Sequence, residues 1–393
     1  LLNLAQKSER LIVGLMSGTS FDGLDVALCR FRGSGPGARP DLVAFCTVPY
    51  EPSFKAQIKS VFAKRNADLE TVTLLNPWIA LQHAQMVRQS LAEWGYAPGQ
   101  IDLVASHGQT IYHAPRRLHH RPEFGNATLQ IGDGDHLAVA TGIITLSDFR
   151  QKHIAGGGEG APLAAYGDYL IFSQPGEDRI MLNMGGIANF TYLPGNLNAD
   201  EVFSTDVGPG NTLMDAYVQA HVPGQFFDED ARLARGGRVC EPLLAALKAD
   251  PFFAAGFPKT TGPELFGLHY LHAAQARSGT EGLALPDVMA TLNRFSADMI
   301  AHAVGQAFVP GRRFVVYMSG GGMHNPLLVS HLKEQLPDCD FRDTSVLGIH
   351  PDAKEAVLFA VLANECVSGG QVSYGSGRNG IPSVSMGKIS LPG

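Results

Sequence analysis

Short apolar runs separated by polar, glycine-bearing turns dominate the first third of the chain. Their spacing predicts strands over 11–15, 24–31 and 41–48, the first two joined by a single polar turn. Farther on, Trp78, Ile79, Leu81, Met86, Val87 and Leu91 recur at helical spacing, predicting a helix from about Asn76-Pro77 to Trp94. Pro98-Gly99 closes that segment, and Ile101 to Ala105 returns to a strand. A strand over 143–146 and a helix over 163–172 flank a glycine-rich loop predicted over 151–160. The second half repeats the alternation around a helical insertion from roughly 228 to 310, with a long helix near 287–308. A strand at 314–318, a helix after Asn325-Pro326 and a last helix from Asp352 to about Cys366 complete the order.

The turn between the first two strands is richer than a hairpin requires. It gathers Ser17, Gly18, Thr19, Ser20, Asp22 and Gly23, with Phe21 inside and Leu24 and Asp25 following. Glycines admit close backbone approach, successive N–H groups can converge on one anion, and hydroxyls add donors. An acid there suits a metal ion that offsets its charge. The pattern therefore reads as a cradle for nucleotide phosphates, or else as an ordinary tight hairpin. A second copy follows over 179–192, with Gly185 and Gly186 between two apolar runs. Asp206 is then predicted to end a strand, followed by Gly208 and Gly210, with Asn211 in position to cap the next helix. A third site, Gly320, Gly321 and Gly322, follows the apolar run 314–318. Three strand–glycine sites suit a ligand held between two similar halves. None has the Walker pattern, and the triplet at 320–322 fails the dinucleotide fingerprint.

Composition narrows the classes. At 393 residues with 45% apolar positions, the chain can build two or three cores. A net charge of −7 disfavours nucleic-acid or anionic-membrane surfaces, and the basic run 116–121 reads as a solvated loop. Five scattered cysteines without a CxxC pair suit a reducing cytoplasm. No membrane span is predicted, and the histidines lack zinc-ligand spacing. His107 stands apart, following the strand 101–105 beside Gly108 and Gln109; it either touches a ligand or braces its loop.

Taken together, Gly18-Thr-Ser-Phe-Asp-Gly-Leu-Asp25, Ser106-His-Gly-Gln-Thr110, Leu129-Gln-Ile-Gly-Asp133 and Asp148-Phe-Arg150 resemble signature segments of the anhydro-N-acetylmuramic acid kinase family. Gly156-Gly-Gly-Glu-Gly-Ala-Pro162, Asn183 to Asn189, Asp206 to Asn211 and Ser319 to Asn325 resemble its remaining segments, in the same order. Phe21 stands where that family usually has leucine, and His153 where an acid is more usual.

The resemblance implies an α/β, duplicated ribonuclease-H-like fold of the actin, Hsp70 and sugar kinase type, with two domains about a central cleft. Residues 1–150 would form one half and 151–393 the other, the loop 151–160 acting as hinge and the last helix free to pack back on the first half. It also implies ATP and Mg²⁺ as cofactors and a cytoplasmic enzyme of cell-wall recycling. That enzyme would open the 1,6-anhydro ring of its amino sugar with water while phosphorylating O6.

Asp206 would be the general base. Gly18 to Asp25, Gly185, Gly186, Gly208, Gly210, Asn211 and Gly320 to Gly322 would line the ATP, with Asp22 and Asp25 orienting the metal's water shell. His107, Arg150, Lys152, Glu159 and Glu355 would hold the sugar, an arginine being well suited to its carboxylate. Glu355 alternatively reads as an exposed helix charge. The partners expected are the amino sugar and ATP, without nucleic acid or membrane; a homodimer is a state the chain allows. Two other functions stay open on the residues alone: a kinase of another small sugar without ring opening, and an actin- or Hsp70-like ATPase.

Overall fold

The computed structural model describes all residues except 19–20, 37–39, 162, 263–264, 309–312 and 370–381. The chain forms two compact units. One comprises Leu1–Ser173 with Leu347–Gly393, the other Gln174–Val346.

In the first unit, β1 (Glu9–Ser17), β2 (Gly23–Arg32) and β3 (Asp41–Pro49) form an antiparallel meander. On the other side of β1 lies β4 (Leu103–Ala114), parallel to it, and then β6 (Thr145–Ser147), parallel to β4. β5 (Ala127–Ile131) pairs with the far end of β4. The second unit repeats the wiring. β7 (Asp178–Met184), β8 (Ile187–Leu193) and β9 (Phe203–Pro209) form the meander, and β10 (Phe314–Ser319) and β11 (Cys339–Asp343) add in parallel beside β7. β12 (Lys388–Ser390) caps the edge of the first sheet against β6. The strand orders 3-2-1-4-6 and 9-8-7-10-11 are one topology used twice. That repeat is the duplicated ribonuclease-H-like architecture.

Central strands are buried on both faces, as in parallel sheets covered by helices. Helices Leu69–Glu93 and Gly134–Thr141 bury Ile79, Val87 and Leu137 against one face of the first sheet, with Val13, Val26 and Val104. The helix Lys354–Ser368 covers the other face, and it does so closely: a Cβ on Gly14 would sit 1.9 Å from the Ala356 carbonyl oxygen. In the second unit Leu285–Gln306 covers β7 and β10 through Ile300 and Val304. A satellite helical core around Leu243, Phe266 and Phe295 fills the insertion.

Four expectations need correction. The helix expected from Asn76-Pro77 begins at Leu69, capped by Asp68, whose carboxylate accepts the Thr71 N–H at 2.8 Å. Pro77 lies inside it, so the cap nine residues upstream outweighs the proline. The loop expected over 151–160 is helical from Phe149 to Ala155, because its glycines begin only at Gly156. The unit boundary falls after Ser173, not after residue 150; the last helix, which the sequence leaves free to pack back, lies in the first unit. Finally, β4 and β9 run on through His107 and Asp206, which lie within strands and not at their ends.

Candidate active site

In the first unit the hairpin joining β1 to β2 holds Gly18, Phe21, Asp22 and Gly23; Thr19 and Ser20 lie outside the described residues. Phe21 adopts φ +60, a left-handed turn conformation, with its ring buried edge-on against Phe62 at 4.8 Å. Gly23 is demanded by packing: a Cβ would meet the Val48 carbonyl oxygen at 2.4 Å. Leu24 is buried beneath the turn. Asp22 is exposed, and its carbonyl accepts the Tyr50 N–H at 3.0 Å. Asp25 accepts a 2.6 Å hydrogen bond from the Thr47 hydroxyl. Burial raises the Asp25 carboxyl above its ordinary range, Thr47 opposes this, and Asp352 and Asp22 push in the same upward direction. Asp22 and Asp352 thus act on Asp25 as like charges.

β4 and the helix Phe149–Ala155 bring His107 and Arg150 together. Arg150 Nε donates to His107 Nε2 at 2.8 Å, and its Nη1 donates to the Gly160 carbonyl at 2.7 Å. Burial first, and Arg150 second, lower the His107 pKa to about 3, so the imidazole is neutral. With Nε2 accepting, its proton sits on Nδ1, a buried atom near the backbone of Gly108 and Ser17 but without a well-formed hydrogen bond. The ring packs against Phe359 at 4.9 Å.

Glu355 occupies the first turn of the helix Lys354–Ser368. Solvent reaches it, yet surrounding protein atoms raise its carboxyl above the ordinary range; Arg150 opposes this and Asp25 adds to it. The close contact at Gly14 is what seats this helix turn on the sheet. The neighbouring Lys354 is anchored by a 2.7 Å ion pair to buried Asp168.

Lys152 and Glu159 do not join this group in the same way. Lys152 projects on the exposed side of its helix. Glu159 pairs with Arg117 at 3.0 Å, a half-exposed bridge that sequence reasoning dismissed as part of a solvated basic run. His153, the departure noted above, is buried, and its Nδ1 accepts the Gly160 N–H at 2.9 Å. A Cβ on Gly158 would fall 2.1 Å from its ring. The unusual histidine thus shapes the glycine loop from inside.

In the second unit Asp206 is half-buried on β9. Its Oδ2 accepts the Thr261 N–H at 2.9 Å, and its own N–H donates to the Lys259 carbonyl at 2.9 Å. Lys259, whose ammonium lies over the Phe252 ring at 4.6 Å, comes from the helical insertion, and no sequence spacing points to it.

The glycines around Asp206 have separable reasons. Gly210, Asn211 and Thr212 donate their N–H groups to the carbonyls of Gly186, Gly185 and Gly186. These amides brace the turns internally and do not reach outward. Asn211 makes no side-chain cap; its amide reaches the Met184 carbonyl at 3.4 Å. Gly208 packs on the Phe253 ring, where a Cβ would approach to 2.9 Å. Gly320 (φ +81) and Gly322 press against Met184, and a Cβ on either would lie 2.9 Å from its backbone oxygen. Gly185 and Gly321 are different. Around each, the nearest neighbours of an added Cβ lie at 3.5 Å or beyond, leaving open backbone.

Comparison with known proteins places the chain. A family model described as anhydro-N-acetylmuramic acid kinase matches residues 10–389. A protein of that name from Pseudoalteromonas atlantica is 60% identical over 389 residues, spanning 99% of this chain and 97% of its own. One from Pseudoalteromonas translucida is 54% identical over 392 residues, and one from Caldanaerobacter subterraneus 37% over 393, each spanning 100% of this chain and 98% or 99% of its own. With its duplicated topology and its signature segments in place, the chain belongs to the anhydro-N-acetylmuramic acid kinase family.

Proposed function

We propose that this protein is an ATP-dependent kinase that opens the 1,6-anhydro ring of 1,6-anhydro-N-acetylmuramic acid with water and phosphorylates O6. The products are N-acetylmuramic acid 6-phosphate and ADP. The end-to-end similarity to proteins of that name carries this reading.

In this scheme Asp206 accepts a proton from the water that attacks C1. The C1–O6 bond breaks, and the freed O6 attacks the γ-phosphorus as ADP leaves. The Thr261 N–H holds one carboxylate oxygen of Asp206, which orients the other for this proton. In the first unit Gly18 and Phe21 to Leu24 serve the nucleotide's phosphates; in the second, the open backbone at Gly185 and Gly321 is what a nucleotide can approach. Asp22 and Asp25 would hold Mg²⁺ through its water shell, a reading that their like-charge proximity supports. Bound there, Mg²⁺ supplies charge neutralisation for the phosphates.

Arg150 has Nε and Nη1 fixed by His107 and Gly160, so its Nη2 is presented for the sugar's carboxylate, with Glu355 beside it for a hydroxyl or the attacking water. His107 orients Arg150 and does not exchange protons. No described helix is long and apolar enough to cross a membrane, and we place the enzyme in cytoplasmic recycling of cell-wall sugars.

Turnover in ¹⁸O-water with Mg-ATP and the anhydro sugar tests the reaction. The phosphorylated product should gain one water, with the label at C1. A product that keeps the anhydro bridge would reassign the enzyme as a simple sugar kinase. ATP hydrolysis indifferent to amino sugars would remove it from the kinases.

A further inference from the structure

A chain of buried polar side chains crosses the first unit and ends at the phosphate hairpin. His83 Nε2 lies 2.8 Å from the Tyr50 hydroxyl, which lies 2.7 Å from Ser17 Oγ. Ser17 Oγ lies 2.5 Å from Gln109 Oε1, and Gln109 Nε2 reaches the Gly18 and Thr110 carbonyls at 3.3 Å each. All four side chains are at least 96% buried. Water cannot substitute for a missing partner here, so each hydrogen must be accounted for.

The accounting has one solution. The Gln109 amide nitrogen faces two carbonyls, which can only accept, so its oxygen must face Ser17. Ser17 therefore spends its single hydrogen on Gln109. Tyr50 must then spend its own on Ser17, which leaves its oxygen to accept from His83. The imidazole is thereby the Nε2–H tautomer. Burial holds it neutral, with its pKa lowered to about 3.

We infer that His83, Tyr50 and Gln109 form a one-way hydrogen-bond relay that fixes Ser17 and the Gly18 carbonyl, and so sets the geometry of the hairpin that receives the nucleotide's phosphates. The three are positioning residues, and the inference rests on the reading of that hairpin as the phosphate site. His83 lies on the helix Leu69–Glu93 and Tyr50 just after β3, so the relay ties hairpin shape to the helical layer behind the sheet. Tyr50 also holds the turn by its backbone, through the N–H bond to Asp22.

Tyr50→Phe removes one link and keeps the ring, which packs on Phe54 at 4.2 Å. It should raise KM for Mg-ATP about threefold to tenfold, the range expected for one buried neutral hydrogen bond, with little change in KM for the sugar. His83→Gln, which can still donate from its amide, should recover most of the affinity that His83→Leu loses. In the parent enzyme, ¹⁵N NMR of His83 should report the Nε2–H tautomer from pH 8 down to 5.

Asp22→Ala and Gly23→Ala probe the hairpin itself. If these raise KM for Mg-ATP while well-folded Tyr50→Phe does not, the relay is wrong and the phosphate site stands. If the hairpin variants leave nucleotide affinity unchanged, the phosphate assignment fails first. An Nδ1–H tautomer at His83 would overturn the relay whatever the kinetics.

Discussion

Arg150 donates its Nε–H to Nε2 of His107 at 2.8 Å, so a permanent cation holds the one acceptor a neutral imidazole offers. That pairing changes what the histidine of the Ser-His-Gly-Gln segment can do. It neither takes nor gives a proton near neutral pH; it aims a guanidinium.

The substitution His107→Gln keeps a side-chain acceptor for Arg150, whereas His107→Leu strands a partly buried donor. We expect His107→Leu to raise KM for the sugar about tenfold or more, with a smaller effect from His107→Gln and little change in KM for ATP. Initial-rate kinetics with each substrate varied in turn decide this. Equal losses from both variants would mean that the ring's packing on Phe359 matters more than the hydrogen bond.

Acid should unfold this protein partly through its buried histidines. His83 and His107 are held at about 3 and His153 at about 4, all below the ordinary 6.5, chiefly by burial. The unfolded chain binds these protons and the folded chain refuses them. The stability they contribute is full above pH 6.5 and lost as pH falls towards 3–4. Melting temperatures measured from pH 7.5 to 4.5 should therefore fall more steeply for the parent than for His107→Gln. Parallel curves would show that His107 titrates alike in both states.

Asp206→Asn keeps the carbonyl-type acceptor for the Thr261 N–H but cannot take a proton. Turnover should drop roughly 10²- to 10⁴-fold while both substrates still bind, as expected for loss of a general base. Calorimetric titration beside single-turnover kinetics separates the two effects. Near-parental turnover in a folded variant would assign the base elsewhere.

Gly14→Ala places a methyl carbon where the Ala356 carbonyl oxygen already sits. Backbone on both sides leaves nothing that can rotate away, so the cost should reach or exceed the upper end of the roughly 1–3 kcal/mol typical of overpacking. Because Glu355 precedes Ala356 on the displaced turn, sugar affinity should fall as well. Urea unfolding gives the first quantity. Gly305→Ala, with open space around the added methyl, is the control that should lose nothing.

The sequence by itself determined the strand–glycine–strand hairpins, their duplication and the identity of the chemistry-bearing segments. Those signals are local: period-two apolar runs, turn residues, and glycines whose permissiveness is written into residue type. It placed Glu355 in the first turn of its helix and Asp25 beside the hairpin for the same reason.

What tertiary structure alone decided are the pairings. Thr47 with Asp25, Arg117 with Glu159, Thr261 and Lys259 with Asp206, and the His83–Tyr50–Ser17–Gln109 relay join residues 22 to 92 positions apart. No spacing rule reaches across such distances. The glycines make the same point: residue type marked Gly185, Gly210 and Gly320 alike as ligand-facing, yet only packing shows that the last two press on neighbouring backbone while Gly185 stays open. Burial finally fixed the charge state of His107, which depends on how much water is excluded around a ring, a quantity that no stretch of the chain carries on its own.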